Sequence, residues 1–153
     1  MIKGSVHVGM SVADLDRSVK FYREAFGMEV IVQEPFEGAQ YDRIMALTGV
    51  RGRVALVQAG SLQLELFEFS TPRSAPAHPD RPVSDHGITH FCVEVDDLDK
   101  EYRRLLAAGV RFHCEPLAFS ATERATYARD PDGNVFELLE TTAQPVTERG
   151  IDR

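Results

Sequence analysis

Two stretches of this chain alternate apolar and polar residues with the two-residue period of a pleated strand, then switch to a helical period. In the first, Val6, Val8, Met10 and Val12 share one face while His7, Gly9 and Ser11 share the other. In the second, Phe91, Val93 and Val95 oppose His90, Cys92 and Glu94. Asp14 and Asp97 follow, each placed to accept hydrogen bonds from the free amides of a helix N-terminus. The apolar stripes Leu15, Val19, Tyr22, Phe26 and Leu98, Tyr102, Leu105 give each predicted helix one face to bury. Gly27 and Gly109 stop them, since glycine takes the left-handed conformation of a helix end without steric cost.

The two stretches are copies of one another. HVGMSVADLD begins at His7 and HFCVEVDDLD at His90, a constant offset of 83 residues, which marks an internal repeat. LELFE at 64–68 and FELLE at 136–140 align at an offset of 72, so Glu65 corresponds to Glu137. Between helix and terminal strand the pattern predicts short strands at 29–32 and 53–59 in the first half, and at 111–113 and 122–129 in the second. DPDG at 130–133 is a hairpin turn. Strand, helix and then about three strands predict helices on one face of a largely antiparallel sheet: an α+β unit, built twice.

Residues 70–86 hold four of the eight prolines and little that is apolar, the composition of an extended connector. The expected organisation is a first module over 1–69, the connector over 70–86, a second module over 87–140 and a loose tail over 141–153, together one structural domain. Residues 33–53, rich in glycine and charge, read as a loop at a cavity rim, with Tyr41, Arg51 and Arg53 in ordinary surface roles or, as the alternative, in contact with substrate.

Composition narrows the function classes. The chain has 153 residues, 43% hydrophobic and 27% charged, which is the make-up of a folded domain. Its 17 basic residues are scattered among 24 acidic ones, a net charge of -7, which argues against nucleic acid as a partner. No apolar run approaches the length of a membrane span, and the N-terminus has no signal-peptide pattern, so the expected location is the cytoplasm. Cys92 and Cys114 lie far apart without a CxxC pair, which fits two buried thiols better than a zinc or redox motif.

Four side chains stand out. Each half supplies one histidine on its first strand and one glutamate on its last, at corresponding positions: His7 with Glu65, and His90 with Glu137. Both glutamates sit inside apolar strands, where an unpaired carboxylate is costly to bury and a bound cation removes the cost. Two imidazoles and two carboxylates suit one divalent ion, whether zinc, nickel, cobalt, manganese or iron. Glu68 and Glu140, three residues on, are the alternative acids, but their opposite strand parity turns them toward solvent.

HVGMSV from His7, FYREAFGMEV at 21–30, GITHFCVEVDDLD at 87–99 and DPDGNVFELLE at 130–140 resemble the vicinal oxygen chelate superfamily over nearly the whole chain. The superfamily includes glyoxalase I, methylmalonyl-CoA epimerase, extradiol dioxygenases, fosfomycin-modifying enzymes and bleomycin-binding proteins. The resemblance implies two tandem βαβββ modules forming a cupped mixed sheet around a metal-binding cavity. It places the metal ligands on His7, Glu65, His90 and Glu137, and implies a homodimer.

The expected chemistry is that of an isomerase, epimerase or lyase of glyoxalase type. A small carbonyl or acyl compound chelated by the metal loses an adjacent proton to a carboxylate, Glu137 first and Glu65 second, through an enolate. Glyoxalase I relatives of bacterial type carry an arginine and an asparagine for glutathione where this chain has Ser11 and Phe69. Methylmalonyl-CoA epimerase usually has glutamine where this chain has Glu65. Ser11, Phe67, Phe69, Cys92 and Arg124 are expected to line the substrate cavity, with Arg124 a partner for an acidic substrate group. The alternatives are an iron ring-cleaving dioxygenase, against which a fourth protein ligand speaks, and a metal-free binding protein of bleomycin-resistance type.

Overall fold

The computed structural model describes residues 1, 3–75 and 78–142. The chain divides into two compact units, Met1–Ala77 and His78–Arg153. The boundary falls inside the expected connector, because the connector's second half packs onto the second unit. Asp80 accepts from the Arg111 guanidinium at 2.8 Å, and Arg129 donates to the Arg81 carbonyl at 2.9 Å. Most of the expected tail lies outside the described residues, but Thr141 belongs to the last strand.

In the first unit the order is β1 (Val8–Ser11), α1 (Leu15–Phe26), β2 (Glu29–Glu37), α2 (Ala39–Met45), β3 (Arg51–Ala59) and β4 (Leu62–Thr71). Its sheet runs β1-β4-β3-β2, with β1 parallel to β4 and the other pairings antiparallel. In the second unit β5 (Phe91–Glu94), α3 (Leu98–Ala107), β6 (Arg111–Phe112), β7 (Leu117–Ala118), β8 (Glu123–Arg129) and β9 (Val135–Thr141) repeat the plan. Here β5 is parallel to β9, β8 is antiparallel to it, and the short β6 and β7 both pair with β8. The architecture is α+β, two tandem modules with one sheet each.

Capping follows the sequence. The side chains of Asp14 and Asp97 accept from the amides of Arg17 and Lys100, both at 2.9 Å. Gly27 ends α1 at φ 64°, and its amide donates to the Arg23 carbonyl at 3.0 Å. Leu15, Val19 and Tyr22 of α1 are buried with Ala55, Val57, Leu64 and Leu66 of the sheet. Leu98 and Leu105 of α3 are buried in the second unit with Ala128, Phe136 and Leu138. By the strand period, Glu65 and Glu137 are turned away from these helix-side residues.

The segment expected to be a rim loop is mostly regular. β2 continues to Glu37 through a bulge after Val30, and α2 follows. Phe36, only 2% exposed, draws the strand on, while Pro35 is tolerated because β2 lies at the sheet edge. Asp42 closes the turn after α2 by accepting from the amides of Gly49 at 2.8 Å and Val50 at 2.7 Å. In the second unit the hairpin is held by buried Asp130, whose carboxylate accepts from the amides of Asp132 and Asn134 at 2.9 and 2.8 Å.

One ion network occurs twice. Arg53 on β3 donates to Asp16 in the first turn of α1 at 2.9 Å and, through Nε, to Glu68 on β4 at 2.9 Å. Arg124 on β8 donates to both oxygens of Asp99 in the first turn of α3 at 3.0 Å, and to Glu140 on β9 at 3.2 Å. Glu68 and Glu140, expected at the solvent, are thus engaged on the helix side.

Leu66→Ala, which empties a fully buried site between sheet and helix, is expected to cost about 2–5 kcal/mol of unfolding free energy in urea titration. The Arg124 hydrogen bonds hold the Asp99 carboxyl below the usual carboxylate range. A depressed folded-state pKa contributes stability that is present above the ordinary carboxylate pKa and lost as pH falls through the depressed value. Arg124→Met should therefore raise the Asp99 titration midpoint in carbon-detected NMR. It should also lower stability at neutral pH more than in acid.

Candidate functional site

His7 lies just before β1, and Glu65 on β4 is the register partner of Gly9. The parallel pairing carries His7 and Glu65 to the same face, and Gly9 puts no side chain between them. His7 Nε2 stands 3.2 Å from Glu65 Oε2. The same face presents Ser11, whose register partner is Phe67. Phe67 and Phe69 stack at 5.8 Å, and Phe36 meets both edge-on at 5.6 and 5.5 Å. Tyr41 of α2 closes on Phe36 at 5.4 Å. Gly52 is required under this cluster: a Cβ there would lie 2.2 Å from the Glu68 carbonyl oxygen and 2.8 Å from the Phe36 ring.

The second unit repeats the pair. His90 precedes β5, Cys92 is the register partner of Glu137, and His90 Nε2 stands 3.1 Å from Glu137 Oε2. Glu137 is more enclosed than its counterpart, with its side chain 17% exposed against 30% for Glu65. Thr89 Oγ1 lies 3.0 Å from His90 Nδ1. With an ion bound, donation from Nδ1–H to that hydroxyl would leave the Nε2 lone pair free to ligate it; without one, Nε2–H can donate to Glu137. Tyr127, the cross-strand partner of Glu137, packs its ring 4.7 Å from His90.

Burial and the carboxylate act together on the neighbouring groups. Cys92 and Cys114 are both exposed, not the buried thiols expected, yet partial burial, then the charge of Glu137 and a hydrogen bond to it, push the Cys92 thiol up to about 12. Cys92 is therefore a protonated donor at neutral pH and no nucleophile. Burial first, then Glu137 and Cys92, also raise the Tyr127 phenol. Burial, with the nearby Arg129 and Arg111 charges, lowers the His113 imidazole, whose ring lies 6.1 Å from Tyr127.

The structure thus brings His7 to Glu65, with Ser11, Phe67 and Phe69 on their face, and His90 to Glu137, with Cys92 beside them. Arg124, expected in the cavity, is corrected: it is the register partner of Glu140, on the face opposite Glu137, and its charge is used by Asp99 and Glu140. Thr89 and Tyr127 were not singled out from sequence. The DPDG turn carried the missing signal for Tyr127, because counting back from that hairpin sets Tyr127 across from Glu137.

The donor pairs fit a metal ion. Two ligand atoms about 2.1 Å from one ion are about 3.0 Å apart at a right angle and about 3.4 Å apart at the tetrahedral angle. Both His–Glu separations fall in that span. Each pair supplies two of the four side chains expected as ligands, and among the described residues no group of three or more His, Cys, Asp or Glu side chains meets in metal-holding geometry. No helix of the described residues is long and apolar enough to cross a membrane.

Known proteins resemble this chain in sequence and fold. The chain is 30% identical over 140 residues to the lactoylglutathione lyase of Schizosaccharomyces pombe, a match covering 87% of this chain and 46% of that enzyme. It thus spans about half that relative's length. It is also 30% identical over 146 residues to a 2-epi-5-epi-valiolone epimerase of an Actinomyces species, covering 90% of this chain and 79% of the epimerase. The crystal structure of a glyoxalase family protein from Bacillus cereus superposes with a TM-score of 0.85 at 24% identity, covering 94% of this chain and 97% of that one, and shows the shared fold. Residues 4–138 match the superfamily profile, and the chain belongs to the Glyoxalase/Bleomycin resistance protein/Dioxygenase superfamily.

Proposed function

We propose that this protein is a divalent-metal-dependent isomerase, epimerase or lyase that removes a proton next to a carbonyl, with His7, Glu65, His90 and Glu137 as the metal ligands. The observation that carries the reading is the matched pair of His–Glu contacts, each on the sheet face turned away from its helix. Relatives at 30% identity include a lyase and an epimerase, which supports that class of reaction. When bound, the ion supplies a Lewis acid for the charge that develops on the carbonyl oxygen.

The chain's own groups do the rest. Glu137 is the base of choice: it is the more enclosed carboxylate, and Cys92 and Tyr127, both neutral at physiological pH, surround it. Cys92 keeps its own proton and so leaves that role to the carboxylate. Thr89 holds the His90 ring. Glu65 is the second carboxylate, assigned the returning proton when the reaction inverts a centre. Phe67 and Phe69 favour a substrate with an apolar body, and Phe69 in place of a glutathione-binding asparagine turns the preference away from glutathione conjugates. The same aromatic cluster is what supports a second reading, a metal-free binder of aromatic compounds. The working assembly in this proposal is a homodimer, which sedimentation analysis checks.

Elemental analysis of the purified and metal-reconstituted protein should find one divalent ion per His–Glu tetrad. Less than that after reconstitution rejects the metal enzyme and leaves the aromatic binder. With metal in place, α-protons of candidate acyl or α-hydroxycarbonyl compounds should exchange with solvent deuterium. Glu137→Gln should slow that exchange by about 10²–10⁴-fold while still binding metal. Unchanged exchange in the variant assigns the base elsewhere.

A further inference from the structure

We propose that Arg53 and Arg124 are positioning residues for the metal ligands, each tying the helix that follows the histidine-bearing segment of its unit to the strand that bears the glutamate; this rests on the metal-ligand reading above. In the first unit, His7 leads into β1, which runs directly into α1, and α1 carries Asp16 in its first turn. Glu65 lies on β4, three residues before Glu68. Arg53 joins Asp16 to Glu68, so one guanidinium links the helix that continues the histidine-bearing segment to the strand that delivers the glutamate. The Leu15 amide also points at Glu68 Oε2, at 3.4 Å, along the same junction.

The second unit does the same with the same residue types on the corresponding elements. His90 leads into β5 and α3, whose first turn carries Asp99; Glu137 lies on β9 three residues before Glu140; Arg124 joins Asp99 to Glu140. The aspartates are 83 residues apart, the glutamates 72 and the arginines 71, so loop-length differences hide the repeat from a motif search.

Two features make positioning the physical consequence. The first strand of each unit pairs with the last over only four register positions, a short ladder to fix the spacing of a His and a Glu on separate strands. The clamp adds a second attachment beyond the end of that ladder. Arginine suits it, because the planar fork binds one carboxylate through two parallel hydrogen bonds, as Arg124 does with Asp99, and fixes direction as well as distance. Lysine keeps the charge and loses the fork.

The test measures affinity rather than turnover. Arg53→Met, Arg124→Met, Arg53→Lys, Arg124→Lys and the control Arg111→Met, which removes an ion pair to Asp80 that joins neither ligand-bearing strand, are made in the full chain. Zinc dissociation constants come from chelator competition at a temperature where circular dichroism shows each variant folded, and the visible spectrum of the cobalt form reports ligand geometry. The Met variants should bind zinc roughly 10–100-fold more weakly with an altered cobalt spectrum, the range usual for supports of metal ligands. The Lys variants should remain weakened while regaining thermal stability, and Arg111→Met should bind like the parent. Arg53 and Arg124 variants that lose stability yet keep the parent's affinity and spectrum overturn the proposal. If a Met variant does not fold, its Lys counterpart decides by the same criterion. A parent protein that binds neither zinc nor cobalt overturns the metal-ligand reading itself, an outcome distinct from equal affinities in parent and variants.

Discussion

The structure depends on the parallel pairing of the first strand of each unit with its last. Gly9 lies against Glu65, and Cys92 against Glu137, because the chain crosses over its helix and two or more further strands before returning to lie beside its start. That return places an imidazole from one end of the module within hydrogen-bond reach of a carboxylate from the other. An ionised glutamate in an apolar strand is unfavourable alone, and the pairing supplies its partner. The backbone continues the pairing past the strands, with the Val12 amide donating to the Phe67 carbonyl and the Val95 amide to Leu139, both at 2.8 Å.

Each sheet thereby separates two tasks by strand parity. On β4, Leu64 and Leu66 are fully buried on the helix side, while Glu65, Phe67 and Phe69 face the other way. On β9, Phe136 and Leu138 are buried on the helix side and Glu137 faces away. Glu68 and Glu140 lie at the end of the helix-side row, where the first turn of the helix offers an aspartate and the neighbouring strand an arginine to bind them. The face turned away from the helix can therefore hold polar and aromatic groups without disturbing the core, since every second residue of the same strand secures the helix.

The two units differ in how they surround their pair. In the first, Phe36, Phe67, Phe69 and Tyr41 make an aromatic cluster that depends on the bare backbone of Gly52. In the second, Tyr127, Cys92 and Thr89 make a tighter, polar surround, and Glu137 is the less exposed carboxylate. The two units thus share the His–Glu pair and the arginine–carboxylate network, while the groups around the pair differ.

By itself the sequence determined the repeat, the helices with their aspartate caps and glycine stops, and the parity of the strands carrying His7, Glu65, His90 and Glu137. All of these rest on local periodicity and backbone preference, which neighbours along the chain express. Tertiary structure alone decided the rest. Glu68 and Glu140 read as solvent-facing from parity, and only the packed helix turn beneath them shows what they bind. Arg124 looked like a cavity residue until the β8–β9 register put it across from Glu140 rather than Glu137. Phe36 belonged to a segment resembling a loop until it met rings from β4. Those outcomes depend on which residues far apart in the chain become neighbours across a strand pair, and a one-residue change in register would reverse each of them.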